Sequence, residues 1–410
     1  MIQIKFMTLE PLHMFGGVSG ATLAGTYNYV PGTALRGALA SAYRSLHNQD
    51  ADFETNFQRW FLDPAVFFSP LLPRQPGTQE TGCLPETAFT CKLYSGFGHN
   101  YRHHGVRDML FEFLKNDLAA RYATGAAELP KAMLAQQDLP LAECDFEIAP
   151  QHLCGAKLIH HEGFYQISED RLSDNKISLR LETHTAVDSR SETAAAQQLF
   201  SLEVIEEKQY LGGKINLGDE EEEKVFVKTL LQEGTEYSLG GARSRGHGRM
   251  QVARETSYIP SISDTSPDRF KEFDRQARKG GVQAPLEGTI FAITLLSDCI
   301  LRDKFMRYRT QLTAQDLAAF GHPTLANVHP LGVFCHTRLI EGWNDAHGLP
   351  RPTELAIAAG SVFAFHSPLD VVQLAPYLNR LQARGIGDRK QEGFGWIWVD
   401  HPFHLNRRPQ

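Results

Sequence analysis

The sequence predicts an α+β fold in two units of one plan, and three observations carry that prediction. Strand-like and helix-like segments follow the same order twice, each series closes on a glycine-rich loop with basic residues, and a polar stretch separates the two. Composition allows it: 410 residues can bury two cores, and 42% apolar with 22% charged residues is ordinary for a globular chain.

The first unit opens at "IQIKFMTLEPL", where Ile2, Ile4 and Phe6 alternate onto one face of a strand. A glycine-rich stretch leads into "PGTALRGALASAYRSL", which reads as a helix capped by Thr33 with Leu35, Leu39, Ala42 and Leu46 on one face. Residues 60–155 read as a large insertion, holding Pro-rich "SPLLPRQPGTQETGCLPE" and helix-like "VRDMLFEFLKNDLAARY". Strands resume at "GFYQIS", "KISLRLETHTAV" and "QQLFSLEVIEEKQYLGGKINL". The acidic run "DEEEEK" at 219–224 reads as a solvated loop. "EKVFVKTLLQEG" reads as a helix with Val225, Val227, Leu230 and Leu231 apolar, followed by the loop "SLGGARSRGHGRM" and the strand "RMQVARE". Strand, helix, strands, helix, loop, strand is the split βαβ order of a ferredoxin-like domain.

A polar linker carrying a short helix, "TSYIPSISDTSPDRFKEFDRQARKGGVQ", precedes the repeat of that order. Strand "GTIFAITLLSD", helix "TAQDLAAFG", strands "LGVFCHTRLIEGWN" and "TELAIAAGSVFAFHS", and helix "LDVVQLAPYLNRLQARG" lead to a second loop and strand, "GIGDRKQEGFGWIWVD". The expected division is 1–255 with the insertion at 60–155, a linker at 256–282, and a second unit at 283–410.

The loops point to function. Glycine lets backbone approach a ligand and adopt positive φ, so its N–H groups can face a phosphate. In the first loop Gly240, Gly241, Gly246 and Gly248 alternate with Arg243, Arg245, His247 and Arg249, and no acid interrupts them. The second offers Gly385, Gly387, Gly393 and Gly395 with Arg389 and Lys390, and Trp396 follows as a stacking surface for a base. Arg36, in the first turn of the first helix, stands among free N–H groups, and Arg44 lies two turns on near the same face. His247 reads as a phosphate or base contact. The competing readings are a turn-forming hairpin for each loop and a surface cation for each arginine. A net charge of −7 excludes a free-standing, non-specific polyanion binder, so any such site is local. No GxxxxGK[ST] occurs, and neither loop opens a helix after a strand, so an extended phosphodiester fits better than a nucleotide cofactor.

Other chemistry is less developed. His13, His47, His103 and His104 are candidates for metal-free acid–base work on RNA, with strand-end, helix-end and loop histidines as the plain alternatives. Cys83, Cys91, Cys144 and Cys154 all fall in the insertion and could hold zinc, with His99 or His152 replacing a missing ligand, although no CxxC occurs. Buried free thiols are the alternative, and Cys299 and Cys335 read as core. No GxSxG is present. The N-terminus "MIQIKFMTLEPLHMF" lacks the features of a signal peptide, no apolar run is long enough for a membrane span, and six cysteines without a secretory signal suggest the cytoplasm.

"PGTALRG", "GGARSRGHGRM" and "GIGDRKQEGFGWIWV" resemble the RAMP superfamily of CRISPR-associated RNA-binding proteins. "LPETAFTCK" and "HTAVDSRSETAAAQQLFSLEVI" are similar to the large RNA-binding RAMP subunit of type III-D effector complexes. The resemblance implies two tandem ferredoxin-like (RRM-like) domains and no cofactor. It implies assembly with other RAMP subunits and a large signalling subunit in antiviral defence, and a grip on the 5′ repeat-derived tag of the CRISPR RNA, with target RNA met indirectly and no membrane. RAMP backbone subunits that cut target RNA carry an aspartate before the corresponding helix, whereas residues 14–32 here hold no acid, so a non-catalytic subunit is expected. The alternatives are a metal-independent endoribonuclease using His13 and a scaffold that contacts only proteins.

Overall fold

The computed structural model describes all residues except 20–22, 79, 99, 116–142, 169–170, 188–193, 255–256, 259–266, 283, 345–347 and 406–410. The fold is α+β. Strand β1 (Ile2–Thr8) buries Ile2, Ile4 and Phe6 completely, as the alternation requires. Helix α1 (Gly32–His47) buries Leu35, Leu39 and Tyr43 against the same core. Leu46 is 71% exposed, because the buried stripe runs through Tyr43 instead. Thr33 does not cap the helix: Pro31 holds that position, and the Thr33 hydroxyl turns to Glu392.

Strand β2 (Phe67–Phe68) follows. Strands β3 (Ala88–Cys91), β4 (Val106–Asp108) and β5 (Leu158–His160), the last of them beyond the expected bound at 155, form one small sheet with β3 in the middle. The helix expected over 106–122 begins only at Leu110, after β4, and its course beyond 115 lies outside the described residues. A long hairpin, β6 (Leu179–Val187) and β7 (Ala194–Ile205), leads to β8 (Tyr210–Asn216). Helix α2 (Glu220–Leu230) then starts on the acidic run that sequence assigned to a loop. Asp219 caps it and accepts from the Glu222 N–H, and four glutamates occupy its first turn, where the helix dipole favours negative charge. Val225 is 50% exposed, and Phe226 packs in its place.

Strands β9 (Glu236–Ser238) and β10 (Arg249–Val252) flank the first glycine loop. The resulting sheet runs β9-β10-β1-β8-β2, antiparallel throughout, with Phe6 opposite both Val252 and Leu211.

Helix α3 (Pro267–Lys279) lies in the stretch read as a linker and buries Phe270, Phe273 and Ala277. Strand β11 (Thr289–Leu295), β12 (His329–Phe334), β13 (Val362–Ser367), helix α4 (Val371–Arg384) and β14 (Ile397–Val399) complete the chain, with sheet order β12-β13-β11-β14. Its four strands take the same places, in the same chain order, as β1, β2, β8 and β10 of the first sheet. Every residue of β11 is buried because both faces are covered. Phe291, Ile293 and Leu295 face α4, while Ile290 and Ala292 face α3 and the insertion's Phe89, Cys91, Leu110 and Leu114. The small sheet of β3, β4 and β5 therefore packs onto the second sheet. Among the described residues, no helix is long and apolar enough to cross a membrane.

Candidate nucleic-acid interface

The two glycine loops share one conformation, residue for residue. In the first, Gly240 has φ +81°, Ala242 φ +57°, Arg243–Arg245 make one 3-10 turn, and Gly246 and Gly248 have φ +81° and +101°. In the second, Gly387 has φ +79°, Arg389 φ +54°, Lys390–Glu392 make the turn, and Gly393 and Gly395 have φ +91° and +71°. Such φ values, together with close neighbours, explain the glycines: a Cβ on Gly248 would lie 2.6 Å from the Leu239 carbonyl.

The glycine N–H groups are mostly occupied within the fold. Gly241 donates to the His13 carbonyl and Gly248 to that of Pro11, strapping the first loop to the segment after β1. In the second loop Gly393 donates to Lys390, Gly395 to Asp298 and Gly385 to Leu381. The expectation that these groups face a phosphate is corrected at these five positions.

The cations divide in the same way. Arg389 is half-buried and forms ion pairs with Glu354 and Glu392, and Glu392 also accepts from Arg351 at 2.6 Å. Burial raises the Glu392 carboxyl, but Arg389 and Arg351 more than offset it and hold it below its ordinary value. Burial, reinforced by Arg384, holds Lys390 below its ordinary value. Arg36 is not at the helix mouth among free N–H groups. Its guanidinium donates to the Phe61 carbonyl and lies 4.0 Å from Glu392. Trp396 packs at 5.1 Å on Phe67, with Lys214 5.4 Å from its ring. In the first loop, Arg249 pairs with Glu10 and Glu236, and Arg245 stands 5.5 Å over the Phe200 ring. His247 is buried, with Nε2 2.8 Å from Glu182 Oε2, so it braces the loop against β6 instead of meeting a ligand.

What the fold does bring together is one cleft of 1510 Å³. Its lining includes His13, Phe15, Gly37, Ala38, Ser41 and Arg44 with Gly240, Gly241 and Arg243, and it extends to Arg389, Gly393 and Phe394. The small residues of α1 leave that helix face open, and nothing lies within 4 Å of a Cβ built on Gly37. Arg36, Arg245, Gly246, His247, Gly248, Arg249, Gly385, Gly387, Lys390, Gly395 and Trp396 do not line it. Sequence reasoning missed the far wall, where Glu86 pairs with His336 and His160 and Asp298 pairs with Arg338. Burial lowers Arg338, yet Tyr29 and Asp298 beside it hold the guanidinium above its ordinary value. Arg44 is exposed and meets no carboxylate among the described residues.

His13 is buried at the cleft edge, with Nδ1 2.9 Å from the Glu203 carbonyl. A carbonyl oxygen only accepts, so Nδ1 is the donor in that bond and the ring orientation is fixed by it. His47 pairs with Asp50 at the end of α1, and His103 contacts the Ser95 carbonyl, so neither joins the cleft.

The RAMP superfamily model matches residues 5–251 of the chain. The chain belongs to the RAMP superfamily. No curated protein matches it in sequence. Among solved structures, this RAMP protein is similar to a chain of the type III-B Cmr-beta complex bound to cognate target RNA and AMPPnP. There identity is 12% and the TM-score 0.39, with 88% of this chain and 86% of that one covered. A chain of the type III-A Csm3–Csm4 subcomplex gives 15% identity and a TM-score of 0.35, over 88% and 92%. A Cas6 product complex gives 15% and 0.29, over 47% and 78%. The family assignment rests on the sequence match.

The cysteines sort differently from the expected set. Cys91, Cys144 and Cys154 come together with His104, their ligand atoms all within 4.8 Å of one another. Cys83 is elsewhere, on the cleft wall, where burial and Asp298 push its thiol up to about 12. His152 is exposed on a hairpin tip, and His99 lies outside the described residues. Cys299 is fully buried, as expected, whereas Cys335 is only half-buried.

Proposed function

We propose that this RAMP protein is a non-catalytic CRISPR RNA-binding subunit of a type III effector complex, of the III-D kind. It caps the backbone and holds the 5′ repeat-derived tag, alongside other RAMP subunits and a large signalling subunit. The repeated strand order supports two tandem ferredoxin-like domains, with the insertion carried by the first. The observation that carries the reading is the cleft in which Arg44 and Arg243 stand over the open face of α1 beside Gly240. Two exposed guanidinium groups neutralise successive phosphates, and Phe15, 54% exposed on the same wall, stacks on a base. The test is single-stranded repeat RNA titrated against Arg44→Ala/Arg243→Ala at two salt concentrations. We expect affinity about ten-fold lower and the salt slope smaller by about 1.4, near 0.7 per lost phosphate contact. Equal affinity and equal slope would reject the site.

One observation favours a second reading, a metal-independent endoribonuclease. His13 borders the same cleft, its ring oriented by the bond from Nδ1 to the Glu203 carbonyl, as an acid–base imidazole must be. Repeat-containing RNA incubated with the protein in EDTA decides: specific product ends that vanish in His13→Ala establish cleavage, and intact RNA leaves binding alone.

A further inference from the structure

We propose that Cys91, His104, Cys144 and Cys154 bind a structural zinc ion that ties the hairpin at 144–154 to the end of β3 within the insertion. Distances carry the inference. Four ligands around zinc, with Zn–S near 2.3 Å and Zn–N near 2.0 Å, form a tetrahedron whose edges are about 3.5–3.8 Å. Cys91 Sγ lies 3.8 Å from Cys154 Sγ, and His104 Nδ1 lies 3.3 Å from Cys144 Sγ. A disulfide needs about 2.05 Å, so Cys91 and Cys154 are not bonded to one another. Thiols packed only as small hydrophobes have no reason to gather a ring nitrogen as well.

The surroundings are built for such an ion. Cys144 and Cys154 flank a hairpin, Glu147–Ala149 with His152–Leu153, closed by Cys154 N–H to the Phe146 carbonyl and Gly155 N–H to that of Cys144. Cys91 ends β3, and backbone N–H groups of Leu93 and Tyr94 point at its sulfur, as thiolate ligands require. The His104 ring lies between Tyr94 at 4.4 Å and Phe146 at 4.0 Å, which fixes its plane. Three thiolates on a divalent ion leave one negative charge. Arg107, which pairs with Asp145, is also close enough to Cys144 and Cys91 to favour their thiolates. Cys91 and Cys144 belong to the core that joins the insertion to Ile290, Ala292, Val362 and Ala364 of the second sheet. The ligand set is soft sulfur with one imidazole nitrogen, which selects zinc over magnesium or calcium.

Full-length protein purified under reducing conditions without chelator is analysed for metal by mass spectrometry. We expect about one zinc per chain. Cys144→Ser and Cys154→Ser lower it at least ten-fold, whereas Cys83→Ser and Cys335→Ser leave it unchanged. Should the serine variants not fold, His104→Cys keeps four ligands and keeps the ion. Cobalt exchanged into the wild-type chain then shows the intense visible bands of a tetrahedral thiolate site, altered by His104→Cys. Less than a tenth of an ion per chain after zinc reconstitution overturns the proposal. So does metal that survives Cys144→Ser and Cys154→Ser, or an octahedral cobalt spectrum.

Discussion

The two glycine loops trace the same path and are put to different uses. Both have left-handed residues before and after a single 3-10 turn, and both end in a strand of an antiparallel sheet. The second carries Asp388 and Glu392 inside it, and Glu392 gathers Arg389, Arg351 and Thr33 into a clasp over the start of α1. The first carries no acid, and its turn remains exposed at the cleft. Glycine spacing fixes the backbone, and the side chains between the glycines decide whether a loop locks the fold or meets a ligand.

The comparison can be broken at one matched pair of glycines. A Cβ on Gly393 would lie 2.5 Å from the Phe68 carbonyl and 3.1 Å from Gly32 Cα, whereas Gly246 has nothing within 4 Å. Both need positive φ. Gly393→Ala is expected to destabilise the protein by about 3–4 kcal/mol, combining left-handed strain with overpacking. Gly246→Ala carries only the strain, about 1 kcal/mol. Equal midpoints in urea for the two variants would show that the second loop is no more tightly held than the first.

The next effect is electrostatic. Arg389→Ala leaves Glu354 without one of its two cations and Glu392 with Arg351 and the more distant Arg36, both carboxylates little exposed. We expect a loss of about 3 kcal/mol in stability with RNA affinity unchanged. Arg243→Ala should shift the balance the other way, weakening RNA binding about three- to five-fold and costing less stability than Arg389→Ala. Circular dichroism melts and RNA titrations on the same two variants separate the loops cleanly.

Much of this contrast was legible in the sequence, though not its outcome. The order of elements, the core face of β1 and the equivalence of the loops follow from periodicity and glycine placement, which are local signals. The partners of the cations are not local: Glu354 reaches Arg389 and Arg302 from a strand separated from each by tens of residues, and a sequence shows charge without pairing. The acidic run at 219–224 was misread because its charge suggested solvent, while Asp219 as a cap and the helix dipole give that charge a structural place. The proposed zinc ligands escaped a spacing rule because His104 lies in irregular chain just before β4 and Cys91 lies far along the chain from Cys154. His13 and Arg44 could be named in advance, but only the strapping of the first loop to residues 11–13 shows that they share a cleft with Arg243.

The smallest expected effect concerns pH. Arg389 and Arg351 hold the Glu392 carboxyl below its ordinary value in the folded chain, against the opposing effect of burial. A carboxylate whose folded pKa lies below its unfolded one, about 4.3, contributes stability that is fully present above that value. The contribution is lost as pH falls through the folded pKa, because the clasp must then take up a proton. Glu182, which braces the first loop through His247, is also held below its ordinary value: burial raises it, and Arg180 and His247 more than offset that. Glu392→Gln should therefore flatten the stability profile below about pH 5. It should lower stability at neutral pH by less than Arg389→Ala does, since the amide keeps the shape and one acceptor. Glu182→Gln should flatten the same limb by a smaller amount, its site being more open to solvent. If Glu182→Gln changed the acid limb more than Glu392→Gln, the first loop would be the more firmly clasped of the two, and the assignment of roles would reverse.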